Sequence, residues 1–136
     1  MEPGELVTRV LLPDPISGID ATEEGGVSSN TSIRSLYLKT GERETGDFAL
    51  VSVAMAITLE GNTLTQASVM LGGVAPAPYR AREVEEYLCG KEADQMDPAH
   101  AGSLALPDAR PMADNAYKVT LARNLVKRAI ERLIGG

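Results

Sequence analysis

Residues 47–78 read DFALVSVAMAITLEGNTLTQASVMLGGVAPAP, from Asp47 to Pro78, and the reading of this stretch decides the fold. An acid opens it. An apolar run follows through Phe48, Ala49, Leu50, Val51, Val53, Ala54, Met55, Ala56 and Ile57. Glu60-Gly61-Asn62 turns the chain, and Val69, Met70 and Leu71 make a second apolar run. Gly72-Gly73 and two prolines close it. Two apolar, partly β-branched runs around a Gly-Asn turn predict a β-hairpin, one strand near Leu50–Leu59 and the other near Thr65–Leu71. So apolar a hairpin needs a covering layer.

The residues after it supply one. Arg80 to Leu88 carries Val84, Tyr87 and Leu88 at helical spacing, with Gly90 where a helix-ending glycine belongs. Cys89 beside it reads as a small buried hydrophobe, and Glu83, Glu85 and Glu86 as a solvated helix face. Asp97-Pro98 fits a helix start, with the acid as N-cap and proline at the first position. It predicts a short helix over Pro98 to Ala105, ended at Leu106-Pro107. Asn115 to Leu133 carries Val119, Ala122, Val126, Ala129, Ile130 and Leu133 as an apolar stripe of period near 3.6.

Ahead of the hairpin, Leu6, Val7, Val10, Leu11 and Leu12 predict a first strand in Gly4–Leu12, stopped by Pro13 and Pro15. Ile16 to Thr31 is rich in Gly, Ser, Asp and Glu and reads as a flexible acidic loop. Ser32 to Lys39 is a short structured segment, strand or turn. Thr40 to Gly46 is a polar loop. Strands come first and helices afterwards, which predicts an α+β fold: an antiparallel sheet of about three to four strands with about three helices packed on one face.

At 136 residues the chain fits one domain, residues 1–136, able to build its own core. A single Phe, four Tyr and no Trp leave that core to aliphatic side chains and Met. One Cys and one His exclude a disulfide framework, a cysteine-only metal site and a histidine zinc site built by this chain alone. There is no basic start followed by a long apolar core, and no run of about 20 apolar residues, so a cytoplasmic location away from membranes is expected. A net charge of −6 argues against general nucleic-acid binding. The charge is uneven: from Asn115 onward five bases face one acid, while the remainder has eight bases and eighteen acids. A basic last helix is a solvated face with charges suited to a helix C-terminus, or a surface for a partner.

No dinucleotide fingerprint, Walker loop or Gly-x-Ser-x-Gly elbow occurs. Ser52 and Ser68 lie in apolar runs without a histidine to activate them. The best remaining candidate is the polar loop, where Lys39, Glu42, Arg43, Glu44 and Asp47 lie between two structured segments. Lys39 and Arg43 suit an anion or an electron-rich ring edge. Mutual salt bridging at the surface accounts for the same residues.

Six motifs in order carry a family resemblance: GELVTRVLLP, SLYLK, R-x-x-x-DFALVSVAMAI, LGGVAPAPYRA, E-x-x-L-x-G and a terminal Y-x-x-x-LA-x-x-LV-x-RAI. Together they span Gly4 to Ile134. The chain resembles the C-terminal domain of the FAD-binding (medium) subunit of molybdenum hydroxylases, the group of carbon monoxide, xanthine and aldehyde oxidoreductases. The acidic insert, Ile16 to Thr31, departs from the shorter connection of that pattern. The resemblance implies a domain that closes over FAD from one side, the flavin being held mainly by preceding regions absent from this chain. It assigns Leu6, Val7 and Lys39 to the cofactor, and Arg43 and Asp47 to the loop beside the flavin ring. It implies an N-terminal FAD-binding region, an iron–sulfur subunit and a molybdopterin subunit as partners, with electrons passing from the clusters to FAD and on to an acceptor. One Cys cannot hold a four-cysteine cluster, so this chain would serve the flavin stage only, as part of a multi-component enzyme. The alternative expectation is a stand-alone binding or assembly module without flavin. An independent small enzyme has no acid–base–nucleophile set to support it.

Overall fold

The computed structural model describes Gly4, Leu6, Thr8, Arg9, residues 31–41 and residues 47–135. Four strands form one antiparallel sheet in the order β1-β2-β3-β4: β1 Thr31–Thr40, β2 Val51–Glu60, β3 Thr63–Gly72 and β4 Tyr79–Arg80. Three helices follow, α1 Arg82–Leu88, α2 Pro98–Ser103 and α3 Tyr117–Ile134, with a single 3₁₀ turn at Ala93–Gln95. The expected α+β fold is what the chain adopts. The segment Ser32–Lys39 is a strand, and Thr31, expected to close the acidic loop, begins it. Gly4, Leu6, Thr8 and Arg9 lie in no strand of the sheet, and the rest of the expected Gly4–Leu12 strand, like residues 16–30, lies outside the described residues.

The hairpin owes its two faces to the period-2 alternation of its side chains. Val51, Val53, Met55, Ile57 and Leu59 of β2 point to the helices and are buried, opposite Leu71, Val69, Ala67 and Leu64 of β3. Leu64 has even parity, whereas Ala67, Val69 and Leu71 are odd. All reach the core because the register slips between Thr58 and Leu59, leaving Thr65 without a partner on β2. The Thr65 hydroxyl donates to the Thr58 carbonyl at 3.3 Å across this bulge.

The helices complete the core from one side only. Val84 and Leu88 of α1 and Ala122, Leu125, Val126, Ala129, Ile130 and Leu133 of α3 are buried in one core with the sheet, and α2 packs on α3 with Ala101 buried. Each large aliphatic side chain removed from water in this way contributes about 1.5–3 kcal/mol. The Asp97 side chain accepts from the Ala99 and His100 amides at 2.8 and 3.2 Å, and Pro98 occupies the first turn, as expected for α2. The last turn of α3 is tied to the edge strand β1, where the Arg34 guanidinium donates to the Leu133 carbonyl at 2.6 Å.

Three expectations are corrected here. Arg80 is not helical: with Tyr79 it forms the two-residue strand β4, and α1 begins at Arg82. Glu85 is not on a solvated face but buried. Its carboxylate accepts the Val69 amide at 2.8 Å and the Arg80 Nε–H at 2.9 Å. β4 is too short to pair the whole edge of β3, so the glutamate takes up a strand amide where the next strand residue would. This contact also holds Arg80 further in its charged form than usual. Cys89 is exposed, because α1 ends at Leu88 and Cys89, its C-cap, has already turned into extended backbone.

Gly73, which ends the hairpin, has φ +75°, and a Cβ there would sit 2.5 Å from the Leu50 carbonyl oxygen. Gly73→Ala is therefore expected to lose about 2 kcal/mol or more, from left-handed backbone strain plus the contact. A urea midpoint equal to the parent's would show that neither constraint operates in solution.

Candidate functional site

The helices leave the other face of the sheet uncovered, and that face has a definite chemistry. Cross-strand partners set its rows: Lys39, Ser52 and Gly72; then Tyr37, Ala54 and Met70; then Ser35, Ala56 and Ser68. The centre is built of small side chains and the margins of larger ones. Ser52 is buried even on this open face. A Cβ on Gly72 would come within 2.5 Å of its hydroxyl oxygen, so glycine leaves that room to serine. The result is a shallow, nearly flat floor with Tyr37 standing above it, 60% exposed.

Lys39 shares this face with Tyr37 two residues away, and its position is fixed. Its ammonium donates to the backbone carbonyl of Asp47 at 2.9 Å. One step further the Leu50 amide donates to the Thr40 carbonyl at 2.8 Å. These two bonds form a neck that brings the ends of the polar loop together at the end of β1 and β2. Asp47 is thus beside Lys39 as expected, but through its main chain, not through an ion pair with its carboxylate. Phe48 follows at 96% exposure, the most exposed aromatic ring among the described residues.

Of the other assigned residues, Leu6 is described and is 83% exposed. Val7 and Arg43 lie outside the described residues. Tyr37 and Phe48 were not singled out as site residues from the sequence. The signal for Tyr37 was available in the spacing, since a residue two before Lys39 on a strand must share its face. Among the described residues no three His, Cys, Asp or Glu are grouped so as to hold a metal ion, and no helix is long and apolar enough to cross a membrane.

A planar group could lie on this floor, with Tyr37 at its side and the Lys39 charge at its edge. Among the described residues the face offers nothing comparable for a pyrophosphate: no run of free backbone amides at the start of a helix faces it. The residues therefore fit one face of a flavin ring, not the whole of FAD.

Comparison with known proteins places the chain. Residues 37–133 match the family model described as the CO dehydrogenase flavoprotein C-terminal domain. The glyceraldehyde dehydrogenase medium chain of Sulfolobus acidocaldarius is 32% identical over 124 residues, covering 91% of this chain and 38% of that protein. The aldehyde oxidoreductase FAD-binding subunit of Escherichia coli is 32% identical over 121 residues, covering 89% of this chain and 30% of that protein. Among solved structures, carbon monoxide dehydrogenase from Hydrogenophaga pseudoflava superposes with a TM-score of 0.67 at 28% identity, over 80% of this chain and 38% of that one. The chain thus spans well under half the length of these relatives. With the match running from β1 through α3, it belongs to the family of C-terminal domains of CO dehydrogenase-type flavoproteins, the FAD-binding subunits of molybdenum hydroxylases.

Proposed function

We propose that this chain closes over a flavin held by a preceding FAD-binding region, and that it does so with the open face of its sheet. The observation that carries the reading is the fixed placement of Lys39 beside exposed Tyr37 on an uncovered floor of small side chains. FAD, when bound, supplies the redox chemistry; the residues of this chain shape its surroundings. The Tyr37 ring and the Ser52, Ala54 and Gly72 floor would exclude water from one face of the ring. The Lys39 ammonium would favour negative charge gained on reduction, and its bond to the Asp47 carbonyl holds it there without neutralising it. Leu6, Val7, Arg43 and the Asp47 carboxylate are proposed to line the same side, as the resemblance implies. The partners would be the FAD-binding region, an iron–sulfur subunit and a molybdopterin subunit in a cytoplasmic complex, with electrons passing from clusters to FAD and on to an acceptor.

The test is flavin retention in the assembled subunit. Lys39→Ala is expected to lower FAD occupancy after gel filtration while the isolated chain keeps its melting temperature. Equal occupancy in variant and parent would remove Lys39 from the site. Isolation of the chain from its native source checks the wider reading. A yellow eluate with larger subunits is expected; a colourless eluate without partners would favour a module that has no flavin role.

A further inference from the structure

A second concavity lies at the same end of the sheet, on the helix side. It is a cavity of about 290 Å³ between the turn that follows β3 and the segment joining α2 to α3. Val74, Leu106 and Val119 are among the apolar side chains that line it. Asp108, Arg110 and Lys118 stand around it. Lys118 donates to the Gly73 carbonyl at 3.0 Å, which pins the ammonium at the rim and leaves it two further N–H groups. The Arg110 guanidinium has no hydrogen bond or ion pair among the described residues, and Asp108 has no hydrogen-bonded partner there. Partial burial, with the nearby Glu83 and Asp108 charges, raises the Tyr79 hydroxyl above its ordinary titration range and keeps it a donor beside Asp108.

The volume is at the small end of ligand sites, which run from about 300 Å³ upward, and the charged side chains in its lining are few. Two cations and one carboxylate in one lining with aliphatic side chains complement a compact zwitterion with an apolar body. A simple anion would leave Asp108 opposed to it, and a simple amine would meet two like charges. We propose that this cavity binds a free aliphatic amino acid of about the size of leucine. Its carboxylate meets Arg110 and Lys118, its ammonium meets Asp108, and its side chain rests on Val74, Leu106 and Val119. The site is separate from the open face and does not depend on the flavin reading.

The experiment is an amide-resolved NMR titration of the 136-residue chain with L-leucine, with isocaproate, which lacks the ammonium, and with isoamylamine, which lacks the carboxylate. Leucine is expected to give saturable shifts at Val74, Ala75 and Val119, with both analogues weaker. Arg110→Ala should weaken leucine about tenfold or more. Asp108→Asn should weaken leucine by a similar factor and strengthen isocaproate, from which it removes an opposing charge. Both residues are exposed, so unchanged melting temperatures are expected to accompany these losses. Absence of saturable shifts with leucine overturns the proposal, as does undiminished leucine binding in both variants. Isocaproate binding as tightly as leucine overturns the zwitterion assignment.

Discussion

Ala129→Asp is expected to abolish cooperative folding. Ala129 is fully buried in α3, among Leu125, Val126, Ile130 and Leu133, where the helix meets β1 and β2. An aspartate there would carry a charge into the aliphatic core, or remain protonated at a large cost. Either way the loss is several kcal/mol, against a total stability of about 5–15 kcal/mol for a domain of this kind. The measurement is far-ultraviolet circular dichroism through a urea titration. The parent should give one sigmoidal transition and the variant none. Arg128→Asp, one residue earlier and exposed, is the control and should shift the midpoint little. A parental midpoint for Ala129→Asp would mean that the stripe on α3 is not core.

Glu85→Ala should have the second largest effect. It removes the acceptor of a buried strand amide, the Val69 N–H, and frees the Arg80 guanidinium. The orphaned amide costs about 1–3 kcal/mol. Arg80 adds little, because its side chain is half exposed and water replaces its partner. Glu85→Gln tests which contact matters. The amide oxygen still accepts from Val69, so the glutamine variant should recover most of the lost stability. If glutamine is as damaging as alanine, the ion pair and not the strand amide holds α1 to β3.

The layering and the last helix were legible from apolar runs and helical spacing. The two apolar runs pair as β2 and β3, and the stripe of period 3.6 is buried from Ala122 to Leu133; the alternation within β2 that separates its two faces was not read from the chain. What was illegible depended on partners distant in sequence. Leu64 has the wrong parity for its strand, and only the extra residue at Thr65 turns it inward, so the second strand was expected to begin too late. Glu85 looks like Glu83 and Glu86 in the chain. What distinguishes it is an unpaired amide on β3, which exists because β4 stops after two residues. Cys89 was misplaced because the buried face of α1 stops at Leu88, and the residue that caps the helix leaves it in extended backbone. At the candidate site, Lys39 was singled out from the polar loop and the family resemblance, whereas the floor beside it comes from strand register alone.

The bond between Arg34 and the carbonyl of Leu133 joins residues 99 apart in the chain. During synthesis, at about 5–20 residues per second, β1 leaves the ribosome roughly 5–20 seconds before the helix turn that fastens it. The hairpin of β2 and β3 is local and can close in that interval, but its apolar face must wait for α3. For those seconds the nascent sheet has only α1 to cover part of its apolar side and, among the described residues, nothing on the other. Synthesis completes the first cover; in the reading proposed here, the other side is covered only on assembly with the flavin-bearing region.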